Sequence, residues 1–199
     1  MLFVDENNKF INHYHMELEE QKICSHFIES SDIVLELGAR YGTVSCTINK
    51  KLNYSSNQVS VEPDARVWQA LETNKKNNEC NFHIIKGFVS KRKLNLTNLN
   101  DYFGGYGATS IEDKKSKIPI YEFKALEAGF KLNFNTLVAD CEGFLDVFLQ
   151  ENPQIYKNFS KIIFEADYPS KCDYDKIYKN LSKNNFKKIL KGHQNVFLK

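Results

Sequence analysis

The chain has 199 residues, 42% hydrophobic and 26% charged, with 15 Phe and 10 Tyr. That supplies apolar material for one core and rules out wholesale disorder, so a single domain over residues 1–199 is expected. A net charge of +2, from 27 basic and 25 acidic residues, leaves only short, scattered basic clusters (Lys91-Arg92-Lys93, Lys114-Lys115, Lys187-Lys188), which argues against a nucleic-acid partner.

Residues 1–30 are expected to form a helical extension. In MELEEQKICSHFIE (16–29) Leu18, Ile23, Phe27 and Ile28 fall near one helical face, and His13 and His15 precede them on a segment expected to be solvated. Asp32–Leu37 is a short β-branched run stopped by Gly38, and helical character returns over Thr43–Leu52. Gln58–Val61 is a second strand, ended by Glu62-Pro63. Asp64–Lys76 is a helix with Val67, Trp68 and Leu71 on its apolar side and Asp64 at its positive end. Phe82–Lys86 is the third strand, ending at Gly87. Successive strand–helix units need crossovers, hence a parallel sheet.

After Gly87 the rhythm loosens. Lys93–Leu96 is a short strand, and 97–122, with DYFGGYGATS at 101–110, is expected to be a mobile loop insertion. Within it Ile118–Tyr121 looks extended, and Glu122–Ala128 is a short helix capped by Gly129. Asn135–Ala139 is the fourth strand, followed by Asp140-Cys141-Glu142-Gly143 and a helix through Leu149. Lys161–Phe164, ending in Glu165, is the fifth. Asp173–Ser182 is a helix, and Phe186–Leu190 with Asn195–Leu198 closes the chain as an antiparallel hairpin around Gly192. The expected fold class is α/β: a Rossmann-like doubly wound sheet, mostly parallel, with a C-terminal antiparallel hairpin.

No apolar run approaches the roughly 20 residues of a membrane span, and MLFVDENNKF lacks the features of a secretory signal. Five cysteines, at 24, 46, 80, 141 and 172, contain no CxxC pair, so neither a disulfide framework nor a zinc ribbon is expected and a reducing, cytoplasmic compartment fits. HExxH, GxSxG and GxxxxGK[ST] are absent.

In an open α/β sheet ligands bind beyond the carboxyl ends of the strands, so function is read from the residues just after them. The first such turn is VLELGARYG (34–42). Gly38 permits a tight turn and close approach of a ligand, and Gly42 opens the next helix, whose free amides favour a polar or anionic group. A dinucleotide site usually shows GxGxxG, whereas Glu36 here puts a carboxylate two residues before the first glycine. It would repel a pyrophosphate but receive, directly or through water, the ammonium of S-adenosylmethionine (SAM). Glu62, at the end of the second strand, can accept both hydroxyls of a ribose, with Pro63 stiffening its turn. Ala39, Arg40 and Tyr41 in the first turn, Gly87 and Phe88 after the third strand, and Asp140 after the fourth complete the expected cofactor-binding set.

VLELGARYGTVS (34–45), VSVEPDARVWQALETNKKN (59–77), LVADCEGFLDVFL (137–149) and KIIFEADYP (161–169) together resemble the FkbM family of SAM-dependent methyltransferases. The resemblance covers roughly residues 31–190. It implies a Rossmann-like sheet, SAM as donor, and O-methylation of a hydroxyl on a sugar, glycan or other small molecule. Departures at Val138, at Leu145 and Asp146, and at Phe123-Lys124-Ala125 surround the acceptor side, so acceptor identity does not carry over. Asp140 is the first candidate for general base, or for ligand to a divalent ion that acidifies the hydroxyl. Glu142 and Glu165 would orient the acceptor, and Asp140 with Glu165 would hold the ion, whose presence stays open. Gly104–Ser110 would cover the acceptor or serve as a plain connection. The rivals are a nicotinamide (NAD)-dependent oxidoreductase and a non-catalytic SAM-binding partner domain.

Overall fold

Short runs of β-branched and aliphatic residues form the strands, each presenting side chains alternately to two faces. The computed structural model describes residues 1–99 and 106–199. The chain opens with a small antiparallel ladder, β1 (Phe3–Val4) against β2 (Phe10–Ile11), and enters α1 (Leu18–Phe27). There follow β3 (Val34–Leu37), α2 (Thr43–Asn49), β4 (Gln58–Glu62), α3 (Trp68–Asn77) and β5 (His83–Lys86). The middle holds β6 (Phe88–Val89), β7 (Leu94–Thr97), β8 (Thr109–Glu112), β9 (Ile120–Tyr121) and α4 (Phe123–Phe130). The remainder is β10 (Thr136–Ala139), α5 (Leu145–Glu151), α6 (Ile155–Asn158), β11 (Lys161–Glu165), α7 (Tyr174–Lys183), β12 (Lys187–Leu190) and β13 (Gln194–Leu198).

Seven strands make one sheet in the order β12-β13-β11-β10-β3-β4-β5. β11, β10, β3, β4 and β5 run parallel, and β13 is antiparallel to both β11 and β12. The Rossmann-like α/β sheet is as expected, and its closing hairpin belongs to the main sheet. Every position of β3 and β10 is buried, as befits strands covered on both faces. Leu35, Leu37, Leu137 and Ala139 pack with Leu126, Phe144 and Phe148 in one cluster, while Val34 and Val138 pack with Ile23, Cys24 and Ile48 in another. A one-residue slip would exchange these sets, so burial pins the register that brings the ends of β3 and β10 side by side.

Several local expectations are corrected. The first 30 residues are not simply helical: β1 and β2 precede α1, and Phe3 is buried against Ala39, Leu71 and Phe82. Asn74 of α3 and Asn78 at its C-terminal cap hold the backbone here, each donating to and accepting from one residue, Val4 of β1 and the preceding Leu2 respectively, at 2.8–2.9 Å. His13 is buried beside Phe3, not solvated, and burial pulls its pKa below the usual value. α3 begins at Trp68 because the Asp64 carboxylate accepts the Arg66 N–H at 3.0 Å and makes a local turn first. α4 runs through Gly129 to Phe130 and is closed by left-handed Lys131.

The expected loop insertion contains paired strands: β7 pairs antiparallel with β8, and β6 pairs parallel with β9. Gly104 and Gly105 lie outside the described residues. Among the described residues no helix is long and apolar enough to cross a membrane, and the cysteines are free thiols.

Candidate active site

From β3 the chain passes to β4 on one side, while β10 lies on the other, so a crevice opens between the carboxyl ends of these strands. A cleft of about 710 Å³, counting the part open to solvent, lies there.

Gly38, the first residue after β3, has φ +92, and a Cβ on it would stand 1.6 Å from the carbonyl oxygen of Asp140. Its expected role is thereby corrected in part. Gly38 lines the cleft, but the close approach that demands glycine is that of the Asp140 backbone. Gly87 behaves similarly, with Pro119 O 2.3 Å from its Cβ position, and is not among the cleft-lining residues. Ala39 and Tyr41 are also corrected: both are buried in the cluster with Phe3 and Leu71, and Gly42 packs against Leu71.

Glu62 is where the turn chemistry converges. Its Oε2 accepts the Arg40 N–H and its Oε1 the Asp64 N–H, both at 2.7 Å. Burial pushes its pKa up to about 7 against the pull of those two amides. Arg40, held at φ 38, lays its guanidinium 4.3 Å from the centre of the Tyr106 ring and 4.9 Å from that of Tyr41. Nη1 of Arg40 also stands 3.6 Å from Asp64 Oδ2. Burial raises the Asp64 pKa, but hydrogen bonds from Arg66 at 2.6–3.1 Å outweigh it and leave the carboxyl below its usual value. Pro63, Phe88, Val89, Leu96 and Phe144 are among the apolar side chains that line the cleft.

Glu36 is buried beneath this turn and does not line the cleft. Its Oε2 accepts from Ser45 (2.6 Å), Ser60 (2.5 Å) and Gln58 (3.2 Å), whereas Oε1 is buried with no partner among the described residues. Burial pushes its pKa up to about 7, moderated by those hydrogen bonds.

The cleft also carries a group of acids. Asp140, Glu142 and Glu17 line it, with Glu165, Asp167 and Glu20 close by. Asp140 Oδ1 is buried and unpartnered, and burial with the neighbouring Glu165, Glu17 and Asp167 holds its pKa well above the usual value. Glu142 adopts φ 51, and burial with the nearby Asp167 and Asp140 pushes its pKa up to about 10. Glu165 points behind the cleft, where Gln194 donates to it at 2.5 Å and His193 Nε2 stands 3.2 Å away. Burial raises Glu165 while His193 pulls it down. At the start of α2, where an anionic ligand group was expected, the Thr43 hydroxyl donates to Glu17.

Reading the strand ends did not find Glu17 or Glu20, because they come from α1 rather than from a strand. A signal was present: Glu20 lies one turn before Ile23 and Cys24, on the buried face of its helix. Tyr106, which faces Arg40, had no local signal.

Solved structures with this architecture include a protein of the NADB-Rossmann superfamily from Streptococcus agalactiae, with a TM-score of 0.54, 9% identity, 90% of this chain covered and 66% of that one. A second is a putative tRNA methyltransferase from Streptococcus pneumoniae in complex with S-adenosyl-L-methionine (0.53, 12%, 90% and 70%). A third is fibrillarin from Aeropyrum pernix with natively bound S-adenosyl-L-methionine (0.52, 13%, 100% and 80%). This chain spans just under two thirds of the S. agalactiae protein. No family model matches the chain, and no curated protein matches it. The protein is thereby placed in the Rossmann-like α/β class.

Proposed function

We propose that this protein is a SAM-dependent methyltransferase that methylates a hydroxyl oxygen on a sugar, glycan or other small molecule. The observation that carries the reading is Glu62. Two backbone amides hold its carboxylate at the end of β4, in a cleft that also presents apolar side chains and further acids. A flat base against Phe88 and Phe144, a ribose at Glu62 and a cationic sulfonium toward Asp140 would match those surfaces. The fit is supported by the unpartnered, buried Oδ1 of Asp140, a cleft-lining residue, which offers an acceptor to a cationic ligand. Two of the fold neighbours carry this donor, and the four ordered motifs resemble the FkbM family.

When bound, SAM supplies an activated methyl group on a sulfonium. The chain's own work is to align an acceptor oxygen with that methyl and to take up the hydroxyl proton as the C–O bond forms and the C–S bond breaks. Asp140 is the first candidate for that proton, since its surroundings make it more basic than an ordinary carboxylate. Glu142, which lines the cleft, orients the acceptor, and Glu165, held behind the cleft by Gln194 and His193, acts through Asp140 by raising its pKa. Neighbours described as putative tRNA (m1A22) methyltransferases share the fold, which puts RNA beside sugars among the acceptors to be tried.

Calorimetric titration with SAM, S-adenosylhomocysteine and NAD tests the donor. Binding of the first two and not of NAD is expected, and the converse overturns the reading. A mass-spectrometric screen of glycans, nucleotide sugars and RNA for a methyl-sized gain then identifies the acceptor.

A further inference from the structure

Three elements distant in sequence bring carboxylates together behind the cleft: Glu20 from α1, Asp140 just past β10 and Glu165 at the end of β11. One oxygen of each lies within 4.8 Å of the others. Glu20 is 6% exposed and has no hydrogen bond or ion pair among the described residues. Asp140 Oδ1 is likewise buried without a partner. Glu165 differs, because Gln194 and His193 fix its orientation from behind. Ligating carboxylates characteristically carry such supporting partners. A buried carboxylate with no partner is costly, and two more beside it raise the cost unless a cation joins them.

We propose that Glu20, Asp140 and Glu165 bind one divalent metal cation. All-oxygen donors select hard ions such as Mg²⁺, Mn²⁺ or Ca²⁺. At metal–oxygen distances of about 2.0–2.6 Å, two ligand oxygens on one ion stand up to roughly 5 Å apart, so the trio is already within range. Water would fill the remaining positions, and one Asp140 oxygen on the ion leaves the other for the cleft. Asp140 also lies within reach of Glu142 and Asp167. There the Glu142 and Asp167 carboxyls share a hydrogen bond, so a proton rather than a cation joins them. The site stands on these carboxylates whether or not the methyl-transfer reading holds.

The test is a titration of the whole chain with Mn²⁺, free Mn²⁺ being read by electron paramagnetic resonance without any donor, with SAM titrated separately by calorimetry. One Mn²⁺ per chain is expected, with affinity weakened about tenfold or more by Glu20→Gln and by Glu165→Gln and within about twofold of wild type in Glu142→Gln. Mn²⁺ should also raise the melting temperature of the wild type and not that of Glu20→Gln. Glu165→Gln gives the same readout from a less buried position should Glu20→Gln fail to fold. No saturable Mn²⁺ binding, equal affinity in wild type and a folded Glu20→Gln, or a loss confined to Glu142→Gln each overturns the site. SAM binding without Mn²⁺ binding overturns the metal site and spares the donor reading, whereas Mn²⁺ binding without SAM binding does the reverse.

Discussion

Glu62 and Asp140 line one cleft from the carboxyl ends of β4 and β10, the strands on either side of β3, and their surroundings differ. Glu62 receives a backbone N–H on each oxygen, and Arg40 and Arg66 crowd the neighbouring Asp64. Asp140 has a buried, unpartnered oxygen and faces other acids. The first carboxylate is organised before any ligand arrives, which suits recognition of neutral hydroxyls. The second is left for a cation or a proton to complete, which suits chemistry.

The harshest way to break this arrangement is at the seam joining the two ends. Gly38→Val sets a branched side chain into the Asp140 carbonyl at a positive φ, so a loss of about 2–5 kcal/mol is expected. A urea melt measures it, and a variant of wild-type stability would mean that the ends of β3 and β10 do not meet as described.

Asp140→Asn keeps the shape and removes the base. Turnover should fall about 10²–10⁴-fold while SAM affinity stays within a few-fold. Single-turnover kinetics with calorimetry separates the two effects, and lost binding with intact turnover at saturation would move Asp140 to the donor side.

Glu62→Ala should weaken SAM by about 2–3 kcal/mol, the scale of charge-assisted hydrogen bonds. Because Glu62 also caps two amides, Glu62→Gln is the cleaner companion. If a folded Glu62→Gln binds SAM as tightly as wild type, the contrast drawn above is wrong at its stronger end.

The smallest effect is expected at Glu36. Its folded pKa of about 7 lies above the ordinary carboxylate value, so between these limits the native state holds more protons than the unfolded one. Stability from this group is therefore present at low pH and lost as pH rises through that window. Glu36→Gln should remove about 1–2 kcal/mol of the fall in stability between pH 5 and pH 8, seen as a flatter pH profile of the melting temperature. An unchanged profile would show that Glu36 is already ionised, for instance because a cation reaches its free oxygen.

Much of this was legible in the chain itself. The runs at 34–37, 58–62, 136–139 and 161–165 are strands because short apolar, β-branched runs and the turn residues after them are local signals. Placing function just past those strands named Glu62, Asp140 and Glu142, and all three line the cleft. The same logic assigned Ala39, Tyr41 and Gly87 to it, and failed there because a turn residue's neighbours depend on what packs behind it. Residues 97–122 read as loop because Thr109–Glu112 is too short to show a period until Leu94–Thr97 pairs with it.

The sequence by itself determined the parallel α/β sheet and the acids at its strand ends, since both follow from local period and punctuation. Only the tertiary structure decided which carboxylates meet. The sheet order sets β10 and β11 beside β3, and packing of α1 over α2 turns Glu20 inward against Asp140 and Glu165. No local propensity encodes that contact, because it arises from burying the apolar face of α1, which takes Glu20 into the interior with it.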